Sequence, residues 1–211
     1  MAAPIILVRH GQTQQEDSLG GSGVIGGWLD LHLTPEGRKE SQDIANTISQ
    51  YPVSRLISSD LSRAVETAQL LFKRLKPQPQ MNVSQSLRTW NLGDLAGKQV
   101  KDVNEIVNTL VDKKYAPAPG GGESFADFSG RFLRFLSMVM NQATRMDENQ
   151  VIALVTHGRN IQIAKVWIER GEQALNSAAA SGKHAGVPTG GALLLTTTGK
   201  GWASKPITDG K

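Results

Sequence analysis

The chain has 211 residues, 39% of them hydrophobic and 20% charged, enough to bury one sizeable core and short for two. It has no cysteine, which excludes disulfides, thiolate nucleophiles and cysteine-bound zinc. The net charge of +4 and pI near 9.4 suit an anionic partner, but the basic residues are scattered and form no nucleic-acid-binding module. No nucleic-acid partner is expected. The N-terminus "MAAPIILVRH" lacks a basic leader region, and its apolar run stops at Arg9. Runs such as "ALLLTTT" are too short to cross a bilayer, so the expectation is a soluble, cytoplasmic protein with no membrane partner.

In chain order, Ile5 to Val8 reads as a strand buried on both faces. The glycine-rich stretch 14–27 reads as a loop. "LTPEGRKE" starts a helix with Thr34 as N-cap, Pro35 at the first helical position and Glu36 in the first turn, and Ile44, Ala45 and Ile48 continue its inner face. A strand over Arg55–Ser58 leads into a helix marked by Leu61, Ala64, Ala68, Leu71 and Leu75. A short strand near Met81–Val83 and an irregular stretch over Leu87–Gly97 precede a modest helix from Val100 to Leu110. After the turn-rich "APAPGGGES", Phe125, Phe128, Phe132, Phe135, Val139 and Ala143 mark the longest helix, with the phenylalanines as core.

Val151–Thr156 is the next strand, Ile161–Ile168 a helix, 176–190 a loop and Ala192–Thr197 a late strand. Alternating strands and helices give an α/β class, a three-layer α/β/α sandwich on a mostly parallel sheet. A single domain over 1–211 is expected, with about 205–211 frayed. Ligands of such sheets sit beyond the carboxyl ends of the strands, where both His10 and His157 fall.

Two apolar runs end alike, "LVRHG" at Arg9-His10-Gly11 and "LVTHG" at Thr156-His157-Gly158. A neutral imidazole attacks phosphorus as a nucleophile, and arginine offers a planar fork matching two phosphate oxygens. Gly11 allows a close backbone approach to a ligand or a positive φ. His157 and Arg63, the latter in the first turn after "ISSDLS", are placed to donate to the same anion. Two histidines and two arginines converging on one space repel one another unless an anion lies between them, which fits a transferring phosphoryl group.

Taken together, "LVRHGQT", "GWLDLHLTPEGRKES", "ISSDLSRAVETAQ", "PGGGES" and "LVTHG" resemble, in order, the signatures of the phosphoglycerate mutase-like branch of the histidine phosphatase superfamily. The resemblance reaches from residue 5 to residue 158. It implies His10 as the phosphorylated nucleophile, with Arg9, Arg63 and His157 as the phosphate pocket. It implies no metal and no cofactor, and a small phosphorylated substrate. Thr13, Gly27 and Gly158 are implied neighbours of the pocket, and a homodimer is compatible with it.

The chain departs from the family at "LRTWNLGDLAG", where Thr89 stands in place of the usual glutamate that protonates the leaving oxygen. Threonine has no proton of useful pKa to give. The candidates for that role are Asp94 and Glu123, whose ordinary readings are a turn former and a helix first-turn partner. Trp90 is a candidate to line an aromatic-recognising pocket. The segment "QQED" after the first motif is a second departure, bearing on specificity. His32 and His184 are expected at the surface without partners.

The leading reading is a phosphomonoester hydrolase. A phosphoglycerate-type mutase is the alternative, although little between Val100 and Gly120 would serve to close over a pocket. A phosphate-ligand binding module that has lost catalysis along with its acid is the third reading, motivated by Thr89.

Overall fold

The computed structural model describes residues 1–14, 23–175 and 186–207. His184, "QED" of the first loop and most of the 176–190 loop lie outside the described residues. One six-stranded sheet organises the rest, built from β1 (Ile5–Arg9), β2 (Val53–Ser58), β3 (Gln80–Val83), β4 (Val151–Thr156), β5 (Ala192–Thr198) and β6 (Gly201–Ile207). Their order across the sheet is β3-β2-β4-β1-β5-β6. The first four run parallel, and β5 and β6 are antiparallel additions beyond β1.

Five helices cover the two faces: α1 (Pro35–Ile48), α2 (Ser62–Arg74), α3 (Val100–Asp112), α4 (Phe125–Ala143) and α5 (Gly158–Arg170). The alternation of a strand decides which face each residue feeds. Ile6 and Val8 of β1 join Ile44 and Ile48 of α1 and Leu71 of α2 in one core. Ile5 and Leu7 join Phe128 and Phe132 of α4 and Ile161 of α5 in the other. The result is the expected three-layer arrangement, with β1 and β4 at its centre. Among the described residues, no helix is long and apolar enough to cross a membrane.

The helix starts follow the local chemistry. Thr34 Oγ1 accepts the Gly37 amide at 2.9 Å, with Pro35 opening α1, and Ser124 Oγ accepts the Asp127 amide at 3.1 Å at the start of α4. The irregular stretch before α3 contains two single 3₁₀ turns, Gln85–Leu87 and Gly93–Leu95.

One expectation is corrected. Residues 205–207, expected to fray, belong to β6, which pairs with β5 along its whole length. "GWASKPI" carries Gly, Lys and Pro and little alternation, so it reads poorly as a strand; at a sheet edge, proline is tolerated.

Candidate active site

The parallel register of the two central strands explains the repeated motif. Arg9 of β1 stands opposite Thr156 of β4, so the next residue on each strand, His10 and His157, emerges at the same tip. The His10 amide continues the ladder, donating to the Thr156 carbonyl at 3.1 Å. The two imidazoles meet edge to face with ring centroids 5.0 Å apart, and each residue is 2% exposed.

His10 Nδ1 lies 2.8 Å from the Gly11 carbonyl. A carbonyl only accepts, so Nδ1 carries the proton and the lone pair of the neutral ring sits on Nε2. Gly11 has no room for a side chain, since a Cβ there would lie 2.1 Å from the Gly37 carbonyl oxygen of α1. The close approach that glycine permits is therefore to a helix backbone. The Gly11 amide donates to Thr67 Oγ1 of α2 at 3.2 Å, tying the strand tip to a second helix.

Arg63, 3% exposed, donates from Nη1 to the Leu29 carbonyl and from Nη2 to the Gly27 carbonyl, each at 2.8 Å. Gly27 supports this turn with φ +46°. Arg9 donates from Nη1 to the Val187 carbonyl at 3.1 Å, and its guanidinium lies across Gly158, where a Cβ would sit 3.2 Å from Cζ. Thr13 is buried and forms an isolated bridge to Leu33, bracing the loop after β1.

His157 is also the N-cap position of α5, so the first free amides of that helix open beside it. Its Nε2 lies 3.0 Å from Ser59 Oγ, while Nδ1 is buried with no hydrogen-bond partner. An unsatisfied buried nitrogen at a strand tip marks where a ligand atom fits. Burial above all, then the charges of Arg63, His10, Arg9 and Arg131, push the His157 imidazole well below its ordinary value of 6.5. The ring is neutral at pH 7.

The sign of the resulting pH effect follows. The unfolded chain protonates this ring near pH 6.5, and the folded chain only at much lower pH. Stability from this group is full above pH 6.5 and is lost as pH falls toward the folded-state value, by up to about 1.4 kcal/mol per pH unit. The Tm of the wild type is therefore expected to drop more steeply below pH 6 than that of His157→Asn. Parallel curves would show that the ring does not titrate in this way.

The remaining sequence candidates fall differently. Trp90, a candidate pocket wall, is corrected: it is 2% exposed, stacks on Phe128 with ring centroids 5.9 Å apart, and donates to the Glu123 carbonyl from within the core. Glu123 accepts a bidentate pair from Arg131, at 2.8 and 2.9 Å, and also the Asn91 amide. Asp94 is exposed, with its carboxylate lying against Gly120. Thr89 is half-buried, and its carbonyl accepts from Trp28 Nε1 at 2.8 Å and Arg131 Nη2 at 3.2 Å. His32 is exposed as expected but does have a partner, Glu66, at 2.7 Å.

Four residues that shape the site were missed: Ser59, Thr67, Trp28 and Arg131. Ser59 sits within "ISSDLS", whose second serine was legible as a strand end but not as the partner of a distant histidine. The others act through contacts that no local pattern announces.

Comparison with known proteins identifies the family. The profile of the histidine phosphatase superfamily (branch 1) matches residues 5–205. Phosphoglycerate mutase-like protein 4 of Arabidopsis thaliana is 30% identical over 162 residues, 74% of this chain and 66% of that protein, so about a third of the relative's length lies outside the match. A glucosyl-3-phosphoglycerate phosphatase of Mycolicibacterium vanbaalenii is 30% identical over 73% of this chain and 68% of its own. The solved structure of a mycobacterial glucosyl-3-phosphoglycerate phosphatase superposes with a TM-score of 0.75 at 22% identity, covering 98% of both chains, which shows a shared fold. With His10 and His157 at adjacent strand tips, the chain belongs to branch 1 of the histidine phosphatase superfamily and is an enzyme of the phosphatase or mutase kind.

Proposed function

We propose that the protein is a phosphomonoester hydrolase that works through a phosphohistidine on His10, with Arg9, Arg63 and His157 holding the phosphate. The observation that carries this reading is the Nδ1 contact of His10 to Gly11, which fixes the ring and directs the lone pair to Nε2 at the tip shared with His157. In the first step Nε2 forms the P–N bond while the P–O bond to the leaving group breaks, its electron pair departing with the oxygen. In the second, water attacks the phosphorus, the P–N electron pair returns to Nε2, and inorganic phosphate leaves. Neither step uses a metal.

The neutral state of His157 supports its part in this scheme. With the Ser59 hydroxyl donating to Nε2, the neutral ring carries its proton on the buried Nδ1 and donates it to a phosphoryl oxygen. Arg9 and Arg63 supply the positive field, and the amides at the start of α5 add to it.

Brief mixing with a 32P-labelled ester, followed by an alkaline quench, is expected to trap label on His10 that is stable in alkali and released by acid. Rapid loss of the label in water marks a hydrolase. A phosphoenzyme that persists in water and passes its phosphate to a sugar acid would favour the mutase, the activity in the name of the plant relative. Turnover without any labelled enzyme would sink the covalent scheme.

A further inference from the structure

The pocket carries Thr89 where the family resemblance implies a glutamate, and this has chemical consequences. Residues 87–89 are tied to the His157 turn, because Thr156 Oγ1 donates to the Leu87 carbonyl at 2.9 Å and Asn160 Nδ2 to that of Arg88 at 3.1 Å. From the opposite flank, Trp28 donates to the Thr89 carbonyl, and its neighbour Gly27 holds Arg63. Thr89 is thus fixed between the loop that positions Arg63 and the turn that carries His157. Its hydroxyl has no proton to give at neutral pH.

The carboxylates of Glu123, Asp60 and Asp30 are occupied. Glu123 accepts at both oxygens from Arg131. Asp60 accepts at both from Arg88, at 2.7 and 2.5 Å, and those bonds hold its carboxyl below the usual range. Asp30 accepts at both from Ser62, whose amide bond above all lowers its carboxyl too. Asp94 is exposed over the Gly120 turn. Hydrogen bonds accepted at both oxygens favour the charged form of a carboxylate.

Building on the hydrolase reading, we propose that the substrates are activated phosphoryl compounds, aryl or acyl phosphates or phosphoanhydrides, whose leaving oxygen departs as an anion with no proton from the described side chains. His10 Nε2 forms the P–N bond, the P–O bond breaks, and the oxygen keeps the electron pair, taking a proton only from water afterwards. A phenol, with a pKa of about 10, leaves in this manner. An alkanol, with a pKa near that of water at ~16, does not. The half-buried Trp28 indole, with the Arg88 guanidinium 4.5 Å from its ring centroid, borders Thr89 through its bond to the Thr89 carbonyl.

The test compares kcat/KM for a graded series of aryl phosphates with that for alkyl phosphates, using the wild type and Thr89→Glu. The wild type is expected to favour phenyl over alkyl phosphate by on the order of 10³-fold, with a steep dependence on leaving-group pKa. Thr89→Glu is expected to raise alkyl turnover by about 10²–10⁴-fold. Wild-type turnover of alkyl and aryl esters within tenfold would overturn the proposal and leave the phosphohistidine reading standing. That measurement needs no variant to fold. Absence of turnover on every ester would sink both.

Discussion

Replacing His10 by alanine is expected to lower kcat/KM on an aryl phosphate by ~10⁴-fold or more, the scale on which losing a covalent nucleophile is felt. No phosphoenzyme should be trapped. Binding of inorganic phosphate should survive, because Arg9, Arg63 and His157 are held by contacts that do not pass through the His10 ring: Arg63 by the Gly27 and Leu29 carbonyls, Arg9 by that of Val187, His157 by Ser59. Parallel kinetics and calorimetric phosphate titration separate the two effects. Turnover retained within tenfold would mean that water attacks the substrate directly and that His10 is not the nucleophile. His157→Ala should cost less, about 10²–10³-fold, since it removes one donor to the developing charge and leaves the attacking group in place.

A large effect on stability is expected from Gly11→Ala, at about 3 kcal/mol. The added methyl would lie 2.1 Å from the Gly37 carbonyl oxygen and 2.6 Å from Ser41 Oγ. Gly37 has the reciprocal problem, with a Cβ 2.1 Å from the Gln12 carbonyl oxygen. Two backbones interlock here, and neither gives way without moving β1 or α1. Urea unfolding should show a lower midpoint at unchanged slope, and any folded protein should have lost activity because His10 is the neighbour that shifts. Gly199→Ala is the control: nothing lies within 4 Å of its Cβ position, so the change should stay within about 0.5 kcal/mol. A Gly11→Ala protein as stable as the wild type would show that the loop and helix separate without cost.

The elements most legible in the sequence were those whose pattern is local. Thr34-Pro35 sets the start of α1, the phenylalanine spacing sets α4, and Val151–Thr156 reads as a strand, all six of whose residues are buried. The pairing of His10 with His157 was legible for a different reason: both motifs end a strand the same way, and a parallel register does the rest. What stayed hidden depends on partners remote in sequence. Trp90 looks like a pocket aromatic from its position beside Thr89, yet the turn rotates its ring onto Phe128. Glu123 looks like an available acid until Arg131 closes on it from the next turn of α4. β6 lacks the alternation of a strand because only its edge position, paired with β5, makes it one.

The position of β1 between β4 and β5 has a consequence for how the enzyme comes into being. His10 and His157 are 147 residues apart in the chain, and the pairing of β1 with β4, in the middle of the sheet, makes them neighbours. Closing so long a loop yields nothing until the intervening helices have packed, so no early folding intermediate holds a phosphate site. A chain truncated before Val151 keeps Arg9, His10 and Arg63 but lacks His157. Activity is thus a reporter of the completed sheet: catalytic recovery during refolding should lag behind helix formation and coincide with the last step of the assembly.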